Sequence, residues 1–414
     1  MTAGSAVTLP DDILAHHIFS WFNSSTVFSI FSLVCKDWFH ATLLYKDPET
    51  CFLDAESKQL ESMFKFFRSG RSLSLTEMAV EGAPEHGNET TKIYRQLFQI
   101  RFESLRKLLL TYYPSNQVGW ESAGDFLLDD CKELCMQTDH FENLETLHVK
   151  SHKIGDEGCN MLASAGFRNL SRLFLTKANI GDVGCQYLSD IPNLRTLCLY
   201  SNRVTSVGVE YLSKGKSAAQ LQHLYLSENN IGDEGCKFIA LFKNLEKLTL
   251  LKNGIGDEGV KVLSEANLEK LSLLSVNDQC TNISCSYIGN FKSLTDLNLN
   301  YCKGVNDDGL KSLTVLSKLR SLRLNFTGIT DDGVKIIASS FKHLERLHLD
   351  ENQLTKEICE VIASNAHNLP HLKYMSLECI NISSFATLFK AFPGLVMRRP
   401  PRRIYSWSFY RPKE

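Results

Sequence analysis

Leu221-Gln222-His223-Leu224-Tyr225-Leu226-Ser227-Glu228-Asn229-Asn230-Ile231-Gly232-Asp233-Glu234-Gly235-Cys236-Lys237-Phe238-Ile239-Ala240 reads as a strand, a turn and a helix in sequence. Leucines at the first, fourth and sixth places alternate with polar residues, the period of a strand with one buried face. An asparagine and Ile-Gly-Asp-Glu-Gly follow, then Cys236 and Ile239 at helical spacing. The same syntax recurs down most of the chain, so the stretch is one unit of an array.

Units open at Leu144, Leu170, Leu194, Leu221, Leu245, Leu268, Leu294, Leu319, Leu344 and Leu372, each 23 to 28 residues after the last. The period and the L-x-x-L-x-L strand motif identify leucine-rich repeats. Met375 replaces one leucine in the final unit, and a degenerate first repeat occupies 105–140. The leucines point into the stack, and the eighth place (Asn202, Asn229, Asn253, Asn352, with Cys302 and Thr327 as variants) is expected to satisfy the backbone of the following turn. Acids in Ile154–Gly158, Ile180–Gly184, Ile255–Gly259 and Ile329–Gly333 are expected to cap helices, where the dipole favours them. They lack the ligand spacing of a calcium loop. Cys159, Cys185, Cys236, Val260, Leu310 and Val334 share one inward helical place, which is packing.

One strand and one helix per repeat predict an α/β solenoid over 105–396, one degenerate plus ten repeats, curved with its parallel sheet inside. Outward strand places include Thr146, His148, Arg172, His223, Lys247, Lys270, Asp296 and Tyr374. Two groups on this face are candidate substrate-binding residues. Phe174, Tyr200 and Tyr225 read as an aromatic row on adjacent strands, and Arg323, Arg346 and Asp350, near Asp296 and Glu378, read as a charged cluster. The unit at 268–293 has Ser275 to Cys285 in place of the Asp-x-Gly turn, an expected lengthening.

Before the array, residues 9–45 form a compact helical unit after an N-terminus, 1–8, expected to be disordered. Leu9-Pro10-Asp11-Asp12 opens a helix, and Ile13, Leu14, Ile18, Trp21 and Phe22 make one apolar stripe. A second helix carries Leu33-Val34-Cys35-Lys36 and Trp38. So much bulky apolar surface on so small a module points to a partner. The order Leu9-Pro10-x-x-Ile13-Leu14-x-x-x-Ile18, closing on Leu33-Val34-Cys35-Lys36-x-Trp38, resembles the F-box over nearly its full length; Trp21-Phe22 departs from the smaller aromatic and leucine usual there. The resemblance implies that Leu9, Pro10, Ile13, Leu14, Ile18, Leu33, Val34 and Trp38 face a Skp-type adaptor, which bridges to a cullin-RING ubiquitin ligase.

Residues 46–104 read as a linker or N-terminal cap, with a helix around Leu60 to Phe67, a short strand at Leu73 and Leu75, and a polar loop at 81–90. Residues 397–414, with Arg398, Arg399, Arg402 and Arg403 around Pro400 and Pro401, read as a basic, proline-rich tail.

The 414 residues carry a formal net charge of -2, which gives no overall footprint for nucleic acid or anionic membrane. The 13 cysteines fall mostly among apolar residues once per repeat, so reduced thiols in cytoplasm or nucleus are expected. Cys131 and Cys135 have no second pair at metal spacing. No secretory signal, membrane span, catalytic set, metal site or cofactor loop is expected. The combination implies a non-catalytic receptor: the F-box docks the adaptor of an SCF-type ligase, and the repeats hold a protein target for ubiquitination and proteasomal degradation. The alternative is a repeat scaffold or stoichiometric inhibitor outside any ligase.

Overall fold

A computed structural model describes residues 50–54, 77–82, 95–112 (without 96 and 103), 128–150, 154–277, 279–355, 357–377 and 382–398. The expected F-box at 9–45, with Leu9, Pro10, Ile13, Leu14, Ile18, Leu33, Val34 and Trp38, lies outside them, as do the 1–8 segment and tail residues 399–414. The chain divides into two compact units: one takes the residues up to Val204 with Lys214–Gln220, the other Thr205–Ser213 and everything from Leu221.

In the first unit, strands β1 (Thr50–Asp54), β2 (Glu77–Gly82), β3 (Lys107–Tyr112), β4 (Thr146–Lys150), β5 (Arg172–Thr176) and β6 (Thr196–Cys198) pair in parallel in chain order. The register aligns Cys51, Met78, Leu108, Leu147, Leu173 and Leu197 in one row. Segment 46–104, expected as a linker or cap, therefore contributes two strands of the same sheet. The second of them begins at Glu77; the expected strand at Leu73 and Leu75 and helix around Leu60 to Phe67 lie outside the described residues. Helices α1 (Leu128–Met136), α2 (Gly155–Ser164) and α3 (Asp182–Leu188) alternate with the strands. Phe141 is fully buried between Phe98, edge-on at 6.1 Å, and Phe102, stacked at 5.9 Å.

In the second unit, α4 (Ser206–Ser213) precedes β7 (His223–Tyr225), α5 (Gly232–Ile239), β8 (Lys247–Thr249), α6 (Asp257–Glu265), β9 (Leu273–Ser275) and α7 (Asn282–Ile288). Then come β10 (Asp296–Asn298), α8 (Asp307–Leu313), β11 (Ser321–Arg323), α9 (Asp331–Ser340), β12 (Arg346–His348), α10 (Ile358–Ser364), β13 (Tyr374–Ser376), α11 (Ile382–Ala391) and β14 (Val396–Arg398). The strands are again parallel, with Leu224, Leu248, Leu274, Leu297, Leu322, Leu347, Met375 and Met397 in one row. Each of the six leucines in that row is fully buried, and burying one such side chain contributes roughly 1.5–3 kcal/mol. Arg398, expected in the tail, belongs to β14.

Leu274 pairs with Leu248 and Leu297, so the repeat containing β9 opens at Leu271, not Leu268. Val276 takes the third leucine place and is fully buried. The turn of this unit is consequently shorter than its neighbours', not lengthened: Val276 and the buried Cys280 are four residues apart, where Leu250 and Ile255 are five. Lys270 leaves the strand face altogether and donates to Asn244 Oδ1 at 2.7 Å. The leucine run Leu268-x-x-Leu271-x-Leu273 satisfies the motif as well as the true frame does, and only cross-strand pairing separates the two.

The candidate binding face and the joints that hold it

In the Asp-x-Gly turns of Asp156, Asp233 and Asp307 the Asp side chain binds the next repeat. Asp156 Oδ1 accepts from Gly181 N at 2.6 Å, Asp233 Oδ1 from Gly256 N at 2.7 Å and Asp307 Oδ1 from Thr330 N at 3.0 Å. The expectation of a cap on its own helix is corrected: the free amide it satisfies lies across the joint. Capping within a helix is done instead by residues such as Thr281, Asn306 and Thr330, whose side chains accept from Ile283, Asp308 and Asp332 N. The second acid pairs outward, as in Glu234–Lys237 and Asp308–Lys311 at 2.5 and 2.7 Å. Such exposed pairs contribute little to stability, because solvent screens them.

The glycine of the next repeat's turn makes room for this joint. A Cβ at Gly333 would stand 2.1 Å from Asp307 Oδ1, and one at Gly259 would stand 2.5 Å from Asp233 Oδ1 and 3.0 Å from Cys236 Sγ. At the irregular unit a buried serine takes the glycine place and bonds instead: Ser284 N and Oγ reach Asp257 Oδ1 at 3.0 and 2.5 Å. Burial alone would raise the Asp257 carboxyl. The hydrogen bonds from Ser284 and Thr281 outweigh it and hold the group below the usual carboxylate range.

The asparagine ladder also crosses joints, but backward. Asn202 donates to Leu175 O at 2.8 Å and accepts from Ala178 and Ile180 N, each at 3.0 Å. Asn253 and Asn352 likewise reach Leu226 O and Leu324 O, at 2.9 and 2.6 Å. The expected service to the following turn is therefore to the preceding repeat's turn. Cys302 stands in by directing its thiol at Val276 O, 3.7 Å away.

On the sheet face away from the leucine row, the first unit places Phe174 against His148, ring centroids 5.4 Å apart. Burial, with Lys150 and Lys107 nearby, lowers the His148 pKa to about 4, so the ring is neutral near pH 7. Arg172 Nε donates to Thr146 Oγ1 at 2.7 Å. Phe174 pairs with Cys198, not with Tyr200. The expected row of Phe174, Tyr200 and Tyr225 is thus broken: Cys198 fills the matching place and is buried, while Tyr200 stands two residues further along. Tyr225 belongs to the second unit, its ring 6.3 Å from His223.

The charged candidates separate into two arrangements. Arg346 reaches over the fully buried Ser321 to Asp296 Oδ1 at 3.1 Å, spanning two strand spacings. Asp350, buried, accepts from Ser376 Oγ at 2.5 Å, and that hydroxyl lies 3.2 Å from His348 Nδ1. Burial, and the Glu351 charge, raise the Asp350 carboxyl. Arg323 sits between them in register with Asn298 and His348. The geometry brings Arg346 to Asp296 and keeps Asp350 apart from both; Glu378 lies outside the described residues. These groups suit polar recognition of a partner surface.

Sequence reasoning missed a second row, at the place after each strand where the backbone turns left-handed. Lys177, Ser201, Glu228, Lys252, Tyr301, Phe326 and Glu351 occupy it with φ of 52 to 69°. Lys252 Nζ pairs with Glu228 at 2.6 Å. Tyr301 and Phe326 stack at 4.6 Å and 10°, yet both are exposed, at 39% and 37%. Two aromatics seven places after an opening leucine in consecutive units, Leu294 and Leu319, were the available signal.

Among the described residues no group of three or more His, Cys, Asp or Glu is placed to hold a metal, and no helix is long and apolar enough to cross a membrane.

The family model described as Leucine Rich repeat matches residues 142–163, 220–240, 243–264, 292–313, 315–338 and 342–363. Human NACHT, LRR and PYD domains-containing protein 5 is 28% identical over 204 residues, 46% of this chain; the chain spans 15% of that protein's length. Among solved structures, a chain of the Rad7 and Elc1 complex in yeast is similar with a TM-score of 0.62 and 15% identity, over 94% of this chain and 91% of that one. An internalin (inlF) from Listeria monocytogenes gives a TM-score of 0.48 at 19% identity, over 83% of this chain and 95% of the other. Matched repeats, and parallel strands with alternating helices joined by side-chain bonds between repeats, show that this chain carries a leucine-rich-repeat array.

Proposed function

We propose that the protein is the substrate-recognition subunit of an SCF-type ubiquitin ligase, its N-terminal segment docking a Skp-type adaptor and its repeats holding a protein target. The observation that carries the reading is the co-occurrence of the F-box-like order, Leu9-Pro10 through Trp38, with a long repeat array in one chain. The open sheet face supports it: its groups, Arg346 on Asp296 and Ser376 on Asp350, are hydrogen-bonding and charged. The chain itself is then not an enzyme; the assembled ligase supplies the chemistry. The similar Rad7 fold was solved as a complex with a second protein, Elc1, which agrees with a partner-binding role.

A pulldown of the full chain with a purified Skp-type adaptor tests the first half. Binding is expected, with at least a tenfold loss for Leu9→Ala combined with Pro10→Ala. Absence of binding, or binding indifferent to the substitution, overturns the reading.

A further inference from the structure

The left-handed row tolerates any side chain the fold can spare, since lysine, serine and glutamate occupy it in other repeats. Nothing in the joints calls for aromatics there. A φ of 69° at Tyr301 and 55° at Phe326 is unfavourable for such residues, and each residue is more than a third exposed. The rings are nonetheless parallel at 4.6 Å, one per repeat. Each covers one face of the other, which leaves the far face of Phe326 toward the next place in the row, that of Glu351. Phe326 N donates to Asp350 O at 3.0 Å, so the loop bearing Glu351 is tied directly beside the aromatic pair. Arg323 belongs to β11 itself rather than to this row, and Lys303 stands two residues after Tyr301.

We propose that Tyr301, Phe326 and Glu351 form a recognition spot for an arginine side chain of a protein partner. The guanidinium would stack on Phe326 and pair with the Glu351 carboxylate. The charge argues for this occupant: an aromatic face beside an exposed carboxylate favours a flat cation over an anion or a purely apolar segment. The proposal rests on the repeats being a protein-binding array, and it deepens that reading by naming the chemistry of one contact.

Selection of random seven-residue peptides displayed on phage against the purified full chain tests it. Enriched peptides are expected to carry arginine, to lose at least tenfold in affinity when that arginine becomes citrulline, and to lose at least tenfold on Phe326→Ser or Tyr301→Ser. Glu351→Gln should cost at least threefold, while thermal midpoints stay within about 4 °C. Peptides without a cation, binding indifferent to these variants, or no enrichment at all overturn the proposal. A chain ending at Arg398 that gains tenfold in peptide affinity also overturns it, because the occupant would then be this chain's own basic tail. The adaptor pulldown above is read independently, so failure here leaves that result standing.

Discussion

Asp307 and Gly333 show how much one side chain does at a joint. The carboxylate accepts from Thr330 N at 3.0 Å and from Thr330 Oγ1 at 2.5 Å, and the missing Cβ of Gly333 leaves it room. Asp307→Ala should destabilise by about 1–3 kcal/mol, leaving Thr330's amide without its acceptor. Gly333→Ala should cost a similar amount by overpacking. Because the two share one space, the double variant should cost less than the sum by about 1 kcal/mol, read from urea midpoints in a double-mutant cycle. His148 gives a pH test. Its pKa falls from 6.5 unfolded to about 4 folded, so the unfolded chain binds the extra proton between these values. Its contribution is complete above pH 6.5 and is lost as pH falls toward 4. At about 1.4 kcal/mol per pKa unit the ceiling is about 3.5 kcal/mol, and a half-buried ring gives less. His148→Gln should flatten the fall in thermal midpoint between pH 7 and pH 5.

At the scale of elements, the helices carry cysteine where other units carry valine or leucine. Cys159, Cys185, Cys236 and Cys285 are fully buried, and burial pushes the Cys285 thiol up to about 12 and those of Cys198 and Cys359 to about 11. Alkylation of the native protein at pH 8, mapped by peptide mass, should therefore spare these residues and, among the described cysteines, label the half-buried Cys135 first. The inward place of Cys159, Cys185 and Cys236 was legible from spacing alone, as was every leucine of the row except Leu274. The β9 repeat was misread because Leu273, at an outward place, mimics a core leucine of a shifted frame. β1 and β2 were missed because Cys51 and Met78 stand where the motif wants leucine. The joints were misassigned for a different reason: local capping and capping across a joint demand the same residue types at the same spacing. Only the partner's position, some 23 to 25 residues away, distinguishes them.

At the scale of the whole molecule, each repeat is bound chiefly to its neighbours, so damage should spread only a short way. Hydrogen exchange on Asp307→Ala should rise across 294–340 and stay unchanged across 144–188. The binding face was less legible than the fold. Alternation identifies which residues point outward, but it does not reveal that Arg346 is engaged with Asp296 two strands away, or that Cys198 interrupts the aromatics.

The joints carry one more consequence. The repeats that show the full set share their hardware at both ends: an asparagine that reaches back, as Asn253 does to Leu226 O, and an aspartate that reaches forward, as Asp233 does to Gly256 N. A tandem copy of a complete period therefore meets its neighbours with the contacts they already make, so such a protein can change its number of units by whole-period duplication or loss. The boundary around Asp257, where Ser284 stands in place of glycine and bonds the carboxylate together with Thr281, departs from that set, and a crossover there would leave mismatched ends.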